Sequence, residues 1–185
     1  MIDEILDDLK ERMDKTVESL RKDLGKVRTG RANTALLDGI VADYYGTMTP
    51  LAQMATLSVP ESRLITIQPW DASAMEVIEK AILQSDLGLN PSNDGKIIRL
   101  AIPQLTEERR KEMVKLAKKY AEDAKISIRN SRRDANELLK DLEKEKEISE
   151  DDLKRSHDEV QGITDEYVEK IDSVMKNKEQ DIMEI

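Results

Sequence analysis

Proline and glycine divide this chain into three parts, and that division constrains its fold more than any other feature. All five prolines (Pro50, Pro60, Pro69, Pro91 and Pro103) fall in the middle of the sequence, interleaved with Gly39, Gly46, Gly88 and Gly95. Such punctuation allows only short elements between breaks. The flanking stretches hold no proline and repeat apolar residues every three or four positions, which is the period of a helix with one buried face.

In the first stretch, Leu6, Leu9, Met13, Val17, Leu20, Leu24 and Val27 predict a helix over 3–28. Gly30 closes it, because glycine tolerates the positive φ of a helix C-terminus. In the middle, Ile40–Tyr45, Thr56–Val59, Leu64–Ile67 and Ile97–Ile102 read as strands rich in β-branched residues. One helix over 74–85 lies between them, with Ser73 and Glu76 as its capping box. Asp94-Gly95 reads as a tight turn. After Pro103, Thr106 is placed to cap a long helix over 106–146 with Glu107 and Glu108 at the positive end of its dipole. Its seam reads as Met113, Leu116, Tyr120, Ala124, Ser127, Ser131, Ala135, Leu138 and Leu142. Ser149 and Asp152 form a second capping box, and a third helix then runs to the C-terminus along Leu153, Val160, Ile163, Tyr167, Ile171, Val174 and Ile182.

No one of these three stripes can be buried alone, so the long helices must form a bundle. The expected fold is α+β in two domains: a three-helix bundle of residues 1–30 and 104–185, with a small β/α/β domain of residues 31–103 inserted. The chain crosses between them at Thr29-Gly30-Arg31 and at Ile102-Pro103-Gln104, and those two crossings (29–31 and 102–105) form a candidate hinge.

Composition excludes several classes of function. Cysteine is absent, so neither a disulfide nor a thiolate metal site exists, and the lone His157 cannot build a zinc site of the usual kind. Gly25-Lys26-Val27-Arg28-Thr29-Gly30 mimics the opening of a phosphate loop, but Arg31-Ala32 stands where Lys-Ser/Thr is required. Residues 90–95 lack the alternating ligands of a calcium loop. No nucleophile–base set rises above the acidic background, so the sequence makes no case for an enzyme. Met1-Ile2-Asp3-Glu4 does not open a signal peptide, and no apolar run approaches a membrane span, which predicts a cytoplasmic protein. Tyr44, Tyr45 and Trp70 read as core or strand residues of the middle segment.

Charge is the one positive signal. The chain carries a net −9, yet residues 106–135 hold ten Lys and Arg against six Asp and Glu, while residues 150–185 hold five against twelve. Lys111, Lys115, Lys118, Lys125, Arg129 and Arg132 recur at spacings of 4, 3, 7, 4 and 3, which keeps them on one helical face. Only Glu122 interrupts that row. Lys111 lies two residues from Met113, or about 200° around the helix, so the row is expected to point away from the bundle. Arg109-Arg110 and Arg132-Arg133 add to its flanks. Guanidinium forks match phosphates, and a basic stripe in an acidic protein points to a nucleic-acid partner. No aromatic residue interleaves with the stripe, so recognition by shape and phosphate, as for folded RNA, is expected over base stacking.

The runs Val27-Arg28-Thr29-Gly30-Arg31-Ala32, Asp43-Tyr44-Tyr45-Gly46, Ser85-Asp86-Leu87-Gly88-Leu89-Asn90-Pro91, Leu105-Thr106-Glu107-Glu108-Arg109-Arg110 and Arg129-Asn130-Ser131-Arg132-Arg133-Asp134-Ala135-Asn136, with Ile148-Ser149-Glu150-Asp151-Asp152, resemble those of bacterial ribosome recycling factors. The resemblance spans the whole chain in one register. It implies an L-shaped molecule of transfer-RNA-like dimensions that binds the post-termination ribosome through large-subunit ribosomal RNA. With elongation factor G, and GTP hydrolysed by that factor, it would split the ribosome into subunits, without a cofactor of its own and as a monomer. The resemblance carries RNA contacts to Arg110, Arg129, Arg132 and Arg133, and more weakly to Arg28 and Arg31. Ser131 departs from the family, where that seam position is usually apolar. The competing expectation is a helical protein-interaction scaffold or chaperone-like clamp, which an exposed apolar patch would favour.

Overall fold

A computed structural model describes residues 1–184. Four α-helices and six strands follow one another: α1 (Ile2–Gly25), β1 (Val41–Tyr44), β2 (Thr47–Pro50), β3 (Ala55–Glu61), β4 (Leu64–Pro69), α2 (Met75–Gln84), β5 (Pro91–Asn93), β6 (Ile98–Ala101), α3 (Glu107–Lys144) and α4 (Glu150–Met183). They fall into two compact units. One comprises Met1–Leu24 and Val114–Asp181; the other comprises Gly25–Met113 and the residues from Ile182 on. These boundaries differ from residues 30 and 103, and the chain crosses them three times. Val27 is buried, and the end of α4 contributes residues to the second unit, so the units divide further along the helices than glycine and proline alone imply.

In the first unit, α1, α3 and α4 form a three-helix bundle. Three side-chain contacts each join a different pair. Arg12 Nη2 lies 2.8 Å from Asp134 Oδ2, Lys125 Nζ 2.6 Å from Asp172 Oδ1, and Tyr167 Oη donates to Asp14 Oδ1 at 2.6 Å. The α1 stripe packs as its spacing predicts: Leu6, Leu9, Met13, Val17, Leu20 and Leu24 are all buried. The capping box before α4 forms reciprocally. Asp152 N donates to Ser149 Oγ at 3.1 Å, and Ser149 N donates to Asp152 Oδ2 at 3.3 Å.

The α3 seam is rotated from the expected one. Its buried residues are Val114, Ala117, Ala121, Ala124, Ile128, Ser131, Ala135 and Leu139, whereas Ser127 is exposed and Leu138 is 50% exposed. Alanine contributes too little hydrophobicity to mark a face against Met113, Leu116 and Tyr120, which are only half-buried. Ser131 is 4% exposed and lies on the seam.

The second unit holds an antiparallel sheet in the order β3-β4-β6-β5 and a separate β1–β2 hairpin. Helix α2 closes a core that includes Leu37, Leu51, Ile65, Ile67, Ile78, Ile82, Ile98 and Leu100. Two strands go beyond the sequence reading. Thr47–Pro50 pairs back on β1 through a two-residue turn at Tyr45-Gly46, with φ of 51° and 82°, and Pro91–Asn93 pairs with β6. Asp71, not Ser73, caps the turn that leads into α2: its Oδ1 accepts from Ser73 N at 2.9 Å and Ser73 Oγ at 2.8 Å. Tyr45 and Trp70 are not core residues, being 80% and 64% exposed. Their polar tips bond locally, Tyr45 Oη to Asp71 Oδ2 at 2.9 Å and Trp70 Nε1 to Thr56 Oγ1 at 2.9 Å. No helix among the described residues is long and apolar enough to cross a membrane.

Candidate nucleic-acid interface

Helix α3 sets the geometry of the basic face. Thr106 caps it, its Oγ1 accepting from Arg109 N at 3.2 Å, and 38 residues at 1.5 Å each give a rod of about 57 Å. Lys118, Lys125, Arg129 and Arg132 each follow a buried seam residue by one position, Ala117, Ala124, Ile128 and Ser131 respectively. One residue is about 100° of rotation, so the row flanks the seam and does not oppose it, in contrast to the sequence reading. The reason is the rotated seam itself.

A flanking row has neighbours. Lys125 is half-buried and tied to Asp172 of α4. Arg132, also half-buried, has its Nη1 3.5 Å from Gln161 Oε1 of α4. Gln161 is itself held by donating from Nε2 to Asp165 Oδ1 at 2.8 Å. Arg129 Nη1 lies 3.4 Å from Glu122 Oε1, and Lys111 Nζ lies 3.7 Å from Glu107 Oε1. These last two pairs are exposed, where an ion pair holds only weakly and a phosphate can displace the carboxylate. Lys115, Lys118 and Arg133 are exposed and, among the described residues, form no ion pair.

Arg110 does not join this face. It is 9% exposed, and its guanidinium serves the end of α4: Nη1 donates to the carbonyl oxygens of Met183 at 3.1 Å and Glu184 at 2.9 Å, with Ile182 O at 3.5 Å. Nε lies 3.4 Å from Leu105 O. Helix ends leave carbonyls without partners and favour a cation, so this arginine caps its own protein, contrary to the expected RNA contact.

Arg28 and Arg31 belong to the second unit. Arg28 is half-buried, with its Nε enclosed and unpartnered, whereas Arg31 Nη2 pairs with Glu184 Oε1 at 2.6 Å. Arg31 and Arg110 line one cleft of about 420 Å³ with Thr29, Gly30, Gln104 and Glu184. Gly30 has φ +81°, which a side chain would strain, and its backbone passes close to Leu105. Of the other expected hinge residues, Ile102 is buried in the core of the small unit and donates from N to Arg63 O at 2.8 Å, while Pro103 and Gln104 are exposed.

Beyond Arg133 the basic face continues. Arg132, Arg133, Lys140 and Lys144 line a cleft of about 540 Å³ with Asn136, Glu137, Asp141 and, from α4, Gln161. The two lysines escaped the sequence reading because acidic neighbours cancel them in a charge count. Spacings of 7 and 11 from Arg133 place them on its side of the helix.

A sequence model described as "Ribosome recycling factor" matches residues 20–183. Ribosome-recycling factors of Oleidesulfovibrio alaskensis and Syntrophomonas wolfei are each 59% identical to the chain, over 184 and 185 residues, with 100% of both partners covered. That of Geobacillus kaustophilus is 55% identical over 185 residues, again with full coverage of both. A solution structure of a ribosome recycling factor superposes with a TM-score of 0.79 at 42% identity, covering 100% of this chain and 98% of that one. A second structure matches with a TM-score of 0.70 at 46% identity and 99% coverage of each chain; it describes T. thermophilus ribosome recycling factor and E. coli elongation factor G bound to the E. coli post-termination complex. With a family sequence pattern over most of its length, full-length relatives above half identity and a shared fold, the chain belongs to the ribosome recycling factor family.

Proposed function

We propose that the chain binds the post-termination ribosome through large-subunit ribosomal RNA and, together with elongation factor G and GTP, parts it into subunits. The observation that carries this reading is the run of exposed cations along α3, with Lys115, Lys118, Arg129 and Arg133 open to solvent and Arg132 braced by Gln161. Anchored guanidinium groups on a stiff helix suit phosphate contacts that fix register and transmit force. The chain acts as a monomer in the cytoplasm and catalyses nothing itself; GTP is hydrolysed by the partner factor. Bending between the two units is assigned to Thr29-Gly30-Arg31 and Ile102-Pro103-Gln104, with the positive φ of Gly30 and the exposed Pro103-Gln104 step as its support.

Sedimentation tests the reading. Post-termination ribosomes mixed with the chain, elongation factor G and GTP are expected to separate into subunits, and omission of the chain is expected to leave them joined. Intact ribosomes in the complete mixture would refute it.

A further inference from the structure

We infer that Lys140 and Lys144, with Asn136, form a second phosphate-binding station on α3, which lies beyond Arg129 and shares Arg132 and Arg133 at its near edge. The inference rests on the RNA-binding function proposed above and extends the contact to the far end of the helix.

The cleft of about 540 Å³ brings four cations together against two carboxylates, Glu137 and Asp141. Its net positive charge is at odds with the −9 of the whole chain. Lys140 is exposed. Lys144 is 73% exposed and meets Asp141 only at 3.9 Å, a separation at which a solvated pair holds weakly. Both ammonium groups are therefore free to exchange a carboxylate for a phosphate.

Asn136 adds a neutral donor. Its Oδ1 is enclosed without a partner, while the residue lines the cleft. An amide whose oxygen is turned inward leaves its Nδ2 hydrogens for a ligand, and a phosphate oxygen or ribose hydroxyl accepts them. Gln161 forms the opposing wall from α4, so the station is a cleft between helices and not a flat helix surface.

Along the helix, Lys140 and Lys144 lie about 12 and 18 Å beyond Arg132. That offset carries the contact onto further nucleotides of the same RNA surface. An acidic protein segment would meet the same cations, but this cleft is continuous with the row of arginines assigned to RNA, which favours the same RNA surface as its occupant.

The test is binding of the labelled chain to purified large ribosomal subunits over a range of salt. Replacement of both lysines, Lys140→Gln with Lys144→Gln, is expected to weaken binding at least tenfold. The log–log salt slope should become shallower by about 1.5, because each phosphate contact contributes about 0.7 to 0.9. Glu137→Gln is expected to tighten binding severalfold, a gain that damage to the fold cannot produce. Unchanged affinity and slope in the double variant, with Arg129→Ala still weakened, would overturn this station while leaving the proposed function standing. Failure of the unaltered chain to bind would overturn the function and the station with it.

Discussion

The Arg110 guanidinium lies 2.9 Å from the carbonyl oxygen of Glu184, seventy-four residues away in the sequence. One buried arginine thereby closes the end of the last helix, where four carbonyls lose their intrahelical partners. Arg132, by contrast, keeps its guanidinium at the edge of the bundle with one long contact to Gln161. Two arginines of one helix therefore do different work.

Arg110→Ala is expected to destabilise the protein by about 2 kcal/mol in urea unfolding, since it removes charged hydrogen bonds to partly buried helix-end carbonyls. The salt slope of ribosome binding should stay as it was. Arg110→Lys is expected to recover only part of the loss, because an ammonium cannot span the same set of carbonyls.

The small unit carries an acid-sensitive cap. Asp71 is held down from its ordinary 3.8 to about 2 by the Ser73 N–H and hydroxyl, with the Tyr45 and Tyr44 hydroxyls adding to them. A carboxyl depressed in the folded state stabilises it above the unfolded value, and that contribution fades as pH falls from about 3.8 through about 2. Asp71→Asn is expected to melt earlier than the unaltered chain at neutral pH, with the difference closing in acid. A gap that persists at the lowest pH would contradict this account of the cap.

In the bundle, burial and the Asp14 carboxylate push the Tyr167 phenol up to about 12. The folded state therefore holds that proton longer than the unfolded state, whose phenol titrates near 10. The stabilisation is complete below pH 10 and is lost as pH rises through about 12. Tyr167→Phe is expected to cost about 1.5 to 3 kcal/mol at neutral pH, the worth of a hydrogen bond to a charged group. Its melting temperature should depend less on alkaline pH than that of the unaltered chain.

Ala117 is fully buried on the α3 seam. Enlarging it to Leu is expected to cost about 1 to 3 kcal/mol by forcing the helices apart. Ala117→Ser should be milder. Equal tolerance of Leu and Ser, read by thermal unfolding, would mean that the seam has room for a larger side chain and contradict close packing at Ala117.

What was legible in the sequence followed from strong local signals. The α1 stripe, the Ser149–Asp152 box and the Thr106 cap all stand where spacing puts them, because large aliphatic side chains and capping oxygens leave a direct trace. On the α3 seam Ala124, Ser131 and Ala135 are buried as the spacing predicts, but Ala117 and Ala121 are buried where Leu116 and Tyr120 are expected, because alanine barely registers in a hydrophobic pattern. That difference moves the basic row by about 100° relative to the seam, from opposing it to flanking it, and brings it beside Asp172 and Gln161 on α4. The hairpin partner Thr47–Pro50 was missed because Tyr45 occupies a left-handed position usually given to Asn or Gly. The family resemblance groups Arg110 with the RNA-contacting arginines, and nothing in its sequence neighbours reveals that the C-terminus returns to it.

If α3 holds the ribosome by its phosphates, binding to large subunits must weaken with salt, and the decisive comparison is the salt dependence of the unaltered chain against that of Arg132→Glu. With about six phosphate contacts the log–log slope should lie near −4 to −5. The Arg132→Glu chain should lose binding while its helical circular dichroism is unchanged. A flat salt response, or an Arg132→Glu chain that binds as tightly as the original, would contradict the claim.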